Sequence, residues 1–305
     1  FDGFLFLEFK DGSGRNYTVG YEKLNARRTE WEWLLDRIFE QGKSLSALDR
    51  CIGQEIKELG KPAFRHQIVL GLPEAIRGQK DWGEIDGREM DFSKEEDQIA
   101  ATKWYIGELV ERFKAAKFKH LELSGFYWVA EDTHHCAELT IPLSEYIHSE
   151  GKLFYWIPYW QAKGHEEWKR LGFDVAYQQP NHFFNHSIPD SRLDEACATA
   201  RRHGMAMEFE FDEKATAAIP NSSHDRMAAY INHFEKNDVF NSSAVAYYCG
   251  NRGVLTLDES DNPKDKALMD RLARIIQARR YLKYGIPMKN KTRVVAHRGF
   301  WHTDG

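Results

Sequence analysis

The sequence predicts an α/β fold of the TIM-type (β/α)8 barrel class, and three observations support this prediction. Apolar strand-like stretches recur seven times along residues 1–284, and each is followed by a helix-like stretch. This alternation is typical of a parallel sheet with helical crossovers, and a barrel of this type needs roughly 250 residues. The main alternative is an open doubly wound sheet, which is disfavoured because no GxGxxG or GK[ST] phosphate turn occurs.

The predicted elements follow the chain in a regular order. Strands are predicted at residues 1–9, 66–73, 119–128, 153–160, 173–180, 205–212 and 243–250. Helices are predicted at residues 22–39, 44–59, 93–116, 133–149, 166–171, 190–203, 222–236 and 263–283. Gly60 is the expected C-cap of the second helix, and Ser93 with Glu96 has the spacing of a capping box. Because the chain opens on Phe1 within a strand, we expect an N-terminal truncation with the first barrel strand upstream.

The strand at 205–212 has the most informative pattern in the chain. Glu208, Glu210 and Asp212 alternate with apolar residues, so the three carboxylates share one face of the strand. A strand between two helices is normally covered on both faces, where unpaired carboxylates are costly. The pattern therefore indicates either an internal ion-pair network or a catalytic site at the mouth of a barrel.

Counting strands gives these carboxylates a chemical interpretation. If residues 1–9 form strand two, then strand 119–128 is the fourth and strand 205–212 is the seventh. Many retaining glycosidases carry their acid after strand four and their nucleophile at strand seven. Here those positions offer Glu131, or the deeper Glu122, and Glu210, or Glu208. A protonated acid and an ionised partner are what glycoside cleavage requires. Glu131 could alternatively be a helix N-terminal charge.

Aromatic and amide side chains near the predicted strand ends are candidates for binding a sugar. The chain contains nine tryptophans and thirteen tyrosines, which serve either as core or as stacking platforms for sugar rings. We expect at least two of Trp128, Trp156, Tyr159 and Trp160 to be exposed. The predicted substrate-binding residues are Glu8, Tyr127, Trp128, Trp156, Tyr159, Trp160, Gln178, Asn181 and His182.

Composition excludes several classes of function. The net charge of −5 and the lack of a basic stripe argue against nucleic acid as a partner, and no apolar run is long enough for a membrane span. The four cysteines form no CxxC pair, so neither a zinc knuckle nor a disulfide framework is indicated. His134 and His135 are adjacent and are expected to point apart on a helix, and no HExxH motif occurs. We therefore predict no metal and no cofactor.

Residues 1–284 resemble a known family along nearly their whole length. The resemblance lies in residues 1–9, 82–93, 124–132 (Ser-Gly-Phe-Tyr-Trp-Val-Ala-Glu-Asp), 156–160 and 207–212. The family is domain of unknown function 4855, a group of secreted bacterial proteins regarded as glycoside-hydrolase-like barrels. The resemblance implies a barrel fold, a glycan substrate and a periplasmic or extracellular location, but it implies no established reaction.

The C-terminal tail resembles a different family. Residues 293–299 form an apolar run followed by His-Arg-Gly, as in the first strand of glycerophosphodiester phosphodiesterases. The resemblance implies a catalytic role for His297 and a phosphate contact for Arg298. The second histidine and the acidic metal ligands of that family do not follow, so we expect residues 285–305 to be a linker and the start of a truncated second domain.

Three functions remain open from the sequence. The first is a carbohydrate-active hydrolase that uses Glu210 as nucleophile or base, Glu131 as acid and Glu208 as an orienting partner. The second is a glycan-binding barrel without catalysis. The third is part of a fused glycerophosphodiester phosphodiesterase, which only the tail supports. The separation of the two carboxylates distinguishes the first two functions, since about 5 Å predicts retention and roughly 6.5–9.5 Å predicts inversion.

Overall fold

The computed structural model describes residues 1–62 and 64–284, the side chains of 280–284 excepted. Its longer strands are β1 (Gly3–Phe6), β2 (His66–Leu72), β3 (Leu121–Trp128), β4 (Leu153–Trp156), β5 (Val175–Gln178), β6 (Ala206–Phe211) and β7 (Val245–Cys249). Its α-helices are α1 (Arg28–Phe39), α2 (Ser44–Leu59), α3 (Glu95–Ala116), α4 (Ala137–Ser149), α5 (Ser191–His203), α6 (His224–Lys236), α7 (Val239–Ser242), α8 (Gly253–Asp258) and α9 (Pro263–Tyr284). The predicted second domain, with His297 and Arg298, lies outside the described residues.

Residue contacts divide the chain into two compact units. The N-terminal unit comprises Asp2–Trp156 and Ala162–Val175. The C-terminal unit comprises Phe1, Ile157–Gln161 and the described residues from 176 to 284. Each of the seven longer strands pairs with a neighbour in parallel, which confirms the α/β class.

In the N-terminal unit the strand order is β1-β2-β3-β4. The last five residues of β2 are all buried, as expected for a strand covered on both faces. The pairing of β2 with β3 shifts by one residue after Ile68. Gly125 lies at this shift. A Cβ there would stand 2.0 Å from the Leu153 carbonyl oxygen, so the position requires glycine.

In the C-terminal unit β6 lies between β5 and β7. Helix α5 ends at Gly204, whose φ of 65° is the left-handed conformation that glycine adopts at a helix end. Helix α6 then returns along β6. The ring of Phe209 lies 5.0 Å from that of Tyr230 and 5.7 Å from that of Phe234, so aromatic packing joins helix to strand.

Several predicted elements are shorter than expected. The strand at 1–9 is reduced to Gly3–Phe6, which leaves Glu8 beyond its end. The helix at 22–39 begins at Arg28, since Leu24–Asn25 pairs in parallel with Arg15–Asn16. The helix at 166–171 is a single 3₁₀ turn, His165–Glu167.

The predicted capping box at Ser93 is wrong, whereas the predicted C-cap at Gly60 is confirmed. The Ser93 hydroxyl donates to Asp91 Oδ1 at 2.6 Å, so it does not cap α3, which begins at Glu95. Gly60 has a φ of 83° and donates its N–H to the Ile56 carbonyl.

The four cysteines of the sequence all lie within the described residues. Cys51, Cys136, Cys197 and Cys249 are all free.

Within the part of the chain that the structure describes, no helix combines the length and the apolar character of a membrane span.

Candidate active site

Strand β6 and the residue directly after it carry three buried carboxylates. Glu208, Glu210 and Asp212 are only 6%, 3% and 8% exposed. The alternate residues face the opposite way, where Phe209 packs on α6. The predicted alternation is therefore correct, and the carboxylate face is covered as deeply as the apolar face.

Two donors from different parts of the C-terminal unit meet the carboxylate of Glu210. The Tyr230 hydroxyl donates to Oε2, and the backbone N–H of His182 donates to the same oxygen at 3.4 Å. Burial, followed by the charge of Glu210, raises the pKa of Tyr230 well above its usual value. Tyr230 therefore stays protonated and remains a donor, and donors of this kind favour an ionised carboxylate.

His182 is fully buried, and its two ring nitrogens have different surroundings. Nε2 lies 2.8 Å from Asp190 Oδ1, whereas Nδ1 has no hydrogen-bond partner among the described residues. Burial lowers the pKa of His182, although the hydrogen bond to Asp190 opposes this shift. A neutral imidazole that donates from Nε2 leaves Nδ1 as a buried acceptor.

Arg226 fixes the backbone that carries the His182 donor. Its Nε donates to the His182 carbonyl at 3.1 Å, and its Nη2 donates to the same oxygen. Nη2 also reaches the carbonyls of Asn185 and Ile188 at 2.9 and 3.1 Å. One guanidinium thus organises the loop 182–188, and the loop in turn aims the His182 N–H at Glu210. Burial lowers the pKa of Arg226.

Asp212, the residue directly after β6, has a carboxyl group whose burial favours the protonated form. Burial raises its pKa, and the charge of Glu213 adds to the shift, while the 2.8 Å hydrogen bond from the Lys214 N–H opposes it. The sequence predicted a raised pKa for at least one of the three carboxyls, and Asp212 confirms this. The main cause is burial, not repulsion between neighbours along the strand.

Strand β7 places an aromatic side chain beside Glu210. Tyr248 is the register partner of Glu210, and partners on parallel strands share a face. The ring of Phe184 meets Tyr248 edge-on at 5.9 Å and is itself 51% exposed. An exposed aromatic surface therefore adjoins the strand position of Glu210.

The substrate-binding residues predicted in the C-terminal unit have different environments. Tyr159 is 37% exposed and Trp160 is half-buried, with the Arg192 guanidinium 4.7 Å above its ring. Asn181 Oδ1 accepts the Trp160 N–H at 2.6 Å. Gln178 is fully buried, and its Nε2 donates to the Gln179 carbonyl. This hydrogen bond stabilises the start of the loop that follows β5.

The predicted aromatic residues of the N-terminal unit belong to the core. Tyr127, Trp128 and Trp156 are at most 2% exposed. The Trp156 indole N–H donates to the Ala130 carbonyl at 2.8 Å, and its ring stacks on Phe173. This corrects the expectation of exposed platforms at Trp128 and Trp156, because parallel strands bury both of their faces. Only Tyr159 of the four tested aromatics is clearly exposed.

Two predicted carboxylates also belong to the N-terminal unit. Glu8 is half-buried beyond the end of β1, and Glu131 is half-buried in the bend after β3. Helix α4 begins only at Ala137, so Glu131 is not a charge at a helix N-terminus. Glu131 and Glu210 belong to different units, and their predicted pairing stays a prediction.

The histidine pair differs from expectation in its local structure. His134 and His135 lie in a turn, not on a helix, and their rings meet edge-on at 4.2 Å. Among the described residues, no group of three or more histidine, cysteine or acidic side chains could hold a metal ion.

Sequence reasoning missed Tyr230, Arg226 and Asp190 as parts of the site. Arg226 and Tyr230 are four residues apart, so they lie on the same face of α6. That face also carries Phe234, which packs on β6. A tyrosine and an arginine on the core-facing side of a helix were the signal that could have revealed the two residues.

The family described as Domain of unknown function (DUF4855) matches residues 1–274. No curated protein matches the chain. One similar solved structure is a candidate alpha-L-fucosidase from Bacteroides thetaiotaomicron VPI-5482, at 12% identity and a TM-score of 0.44, covering 90% of this chain and 92% of that one.

Proposed function

We propose that this chain, which belongs to the DUF4855 family, is a carbohydrate-active hydrolase that cleaves glycosidic bonds with a carboxylate pair that includes Glu210. One observation carries the proposal. Glu210 is a buried carboxylate near the carboxyl end of a parallel strand, and Tyr230 and the His182 N–H hold it in place. Carboxyl ends of parallel strands are where ligands of α/β folds bind.

The proposed architecture is a TIM-type (β/α)8 barrel over residues 1–284. Seven parallel strands that alternate with helices support it. In such a barrel the face of β6 that carries Glu208, Glu210 and Asp212 would line the interior. Glu208, one layer deeper, would then orient Glu210.

In this mechanism Glu210 attacks the anomeric carbon or activates a water molecule. Either role needs an ionised group, which the two donors favour. A second carboxyl group must stay protonated to release the leaving oxygen. The sequence assigns this role to Glu131. Asp212 is the second candidate, since burial raises its pKa and it lies two residues along the same strand face.

A glycan-binding protein without turnover is the second candidate function. The exposed rings of Tyr159 and Phe184 favour it, because aromatic surfaces bind sugars whether or not cleavage follows. The phosphodiesterase alternative rests on residues 293–299 alone, outside the described residues. In both leading functions the partner is a glycan, and the expected periplasmic or extracellular location stays a prediction.

A glycan panel tests the proposal on the full chain. Glycans that raise the melting temperature are incubated with the wild type, with Glu210→Gln and with the exposed control Glu111→Gln, and the released sugar is measured. We expect Glu210→Gln to bind the same glycan but to release product at least about 10³-fold more slowly, with the control unchanged. Binding without any product in the wild type would favour the glycan-binding function. Wild-type turnover in Glu210→Gln would make the carboxylate cluster structural.

The two candidate acids are separated by the leaving group. Loss of the acid slows cleavage of ordinary glycosides far more than cleavage of aryl glycosides whose phenol leaves without protonation. We therefore expect either Glu131→Gln or Asp212→Asn, but not both, to keep activity on a nitrophenyl glycoside while losing it on the natural linkage. Equal losses on both substrates in both variants would contradict the assignment of an acid to either position.

A further inference from the structure

A concave surface lies beyond the ends of β6 and β7 in the C-terminal unit. This strand-end groove is open to solvent and has a volume of about 650 Å³. One wall is the segment after β6, with Glu213, Thr216 and Ile219, and the other is the segment after β7, with Asn251 and Arg252. Both walls therefore start at the carboxyl ends of strands.

A loop that lines the groove packs against the end of the carboxylate strand. A Cβ at Gly250 would stand 3.1 Å from the Asp212 Cβ, and one at Gly253 would stand 2.9 Å from the Asp212 carbonyl carbon. A side chain at Gly253 would overlap the Asp212 backbone, and one at Gly250 would crowd the Asp212 side chain. The loop that carries Asn251 and Arg252 thus packs against Asp212, two residues beyond Glu210.

The walls of the groove are held in a fixed position before any ligand binds. Asp265 is fully buried and accepts hydrogen bonds from the Thr216 hydroxyl at 2.5 Å, the Ser260 hydroxyl at 2.7 Å and the Ala217 N–H at 2.8 Å. A single carboxylate therefore ties the segment after β6 to the residues that precede α9. A preorganised surface loses little entropy when it binds a ligand.

The chemistry of the groove suits an uncharged, hydroxyl-rich ligand. It offers an amide in Asn251, a guanidinium in Arg252 and an exposed apolar surface in Ile219, which is 40% exposed. Asn251 Nδ2 donates to Glu213 Oε1 at 3.0 Å, which orients the amide. The groove also carries the carboxylates of Glu213, Glu259 and Asp261 against one guanidinium, so an anionic ligand would be repelled.

We propose that the strand-end groove is a subsite for further sugar units of the glycan whose scissile bond reaches Glu210. The units it takes are neutral or amino sugars and not acidic ones. This inference rests on the proposed function for its substrate. It adds that recognition extends along the chain beyond the reacting carboxylates, so longer oligosaccharides bind more tightly than short ones.

Binding isotherms on the Glu210→Gln chain test the subsite without consuming the probe. The probes are cello-, manno- and chitosan oligosaccharides of two to six units, with oligogalacturonates of equal length as the acidic series. We expect the affinity for a neutral or amino series to rise about tenfold or more with length, and the acidic series to show no such rise.

Two groove variants on the same background should abolish the gain in affinity with length. Ile219→Ser removes the apolar contact, and Asn251→Gly removes the amide but accepts the left-handed backbone at this position, where φ is 48°. The matched control is Ile141→Ser, because Ile141 is 48% exposed on α4 of the other unit. We expect both groove variants to bind the shortest probe as the parent does and to lose the gain on longer ones.

Several outcomes would overturn the subsite. These are affinity independent of length, a preference for the acidic series, no binding of any probe, or equal losses on short and long probes. The failure of each proposal can be recognised separately. If affinity rises with probe length but the wild type hydrolyses no glycan, the hydrolase proposal is refuted and the subsite proposal stands. If hydrolysis depends on Glu210 but affinity does not depend on probe length, only the subsite proposal is refuted.

Discussion

Asp265 and Asp212 are both buried carboxyl groups of the C-terminal unit, but the chain stabilises their charges very differently. Asp265 accepts three hydrogen bonds from Thr216, Ala217 and Ser260. Burial opposes its ionisation, yet these bonds outweigh the opposition and lower its pKa. For Asp212 the structure shows the Lys214 N–H as donor, and burial raises its pKa.

The contrast shows that burial alone does not reveal the role of a carboxyl group. A buried charge that has several donors stabilises the native fold, and its removal leaves those donors unpaired. A buried carboxyl with too few donors favours a proton, which makes it a candidate acid and a cost to stability at neutral pH. Glu210 has donors as well, since the Tyr230 hydroxyl and the His182 N–H both meet its Oε2.

The largest expected effect on stability is at Asp265. Asp265→Asn removes a charge that three hydrogen bonds stabilise, and it forces the Thr216 and Ser260 hydroxyls to turn from donating to accepting. We expect the free energy of unfolding to fall by about 2–4 kcal/mol at pH 7. Urea denaturation measures it. The folded-state pKa of Asp265 is lowered. The difference in unfolding free energy between variant and wild type is therefore largest above about pH 4, and it disappears as the pH falls through the lowered pKa. A variant as stable as the wild type would contradict the account.

The next effect concerns the hydroxyl of Tyr230. Tyr230→Phe keeps the ring packed on Phe209 but removes a donor from Glu210. We expect kcat/KM to fall about 10- to 100-fold, since hydrogen bonds to charged groups contribute about 1.5–3 kcal/mol. The acid limb of the pH–rate profile should move to higher pH, because the ionised carboxylate is less well supported. An unchanged rate and profile would mean that the hydroxyl has only a packing role.

The smallest effect is expected at Asp212, with the opposite sign to Asp265. Asp212→Asn can still accept the Lys214 N–H, and it removes a buried charge. We expect the free energy of unfolding at pH 7 to be unchanged or up to about 1 kcal/mol higher. Since the folded-state pKa of Asp212 is raised, any gain is full above that pKa and vanishes below about pH 4. A loss of stability as large as that of Asp265→Asn would erase the distinction between the two sites.

The sequence predicted the order of strands and helices because apolar periodicity follows directly from burial. It also predicted the carboxylate face of β6, since alternation with a period of two determines which side chains share a face. The ends of the strands were less certain: apolar residues such as Leu7 and Ile157 continue past the last paired residue. A hydrogen-bonded strand can therefore stop before its apolar pattern does.

The parts of the site that were missed depend on contacts between distant residues. Tyr230 meets Glu210 across 20 residues of chain, and Arg226 holds the His182 carbonyl across 44. No local pattern encodes such contacts. Trp128 and Trp156 were misjudged for a related reason, because an aromatic strand end looks the same in sequence whether it packs inside or faces a ligand.

The most direct test of the central claim is chemical rescue of Glu210→Ala on a glycan that the wild type hydrolyses. Azide or formate can occupy the space that the side chain leaves and take over the role of a nucleophile or base. We predict that kcat falls at least about 10³-fold in Glu210→Ala and that millimolar azide or formate restores part of it, while the folded fraction equals that of the wild type. Wild-type turnover without any added anion would contradict the assignment of Glu210, and the carboxylates of β6 would then be structural.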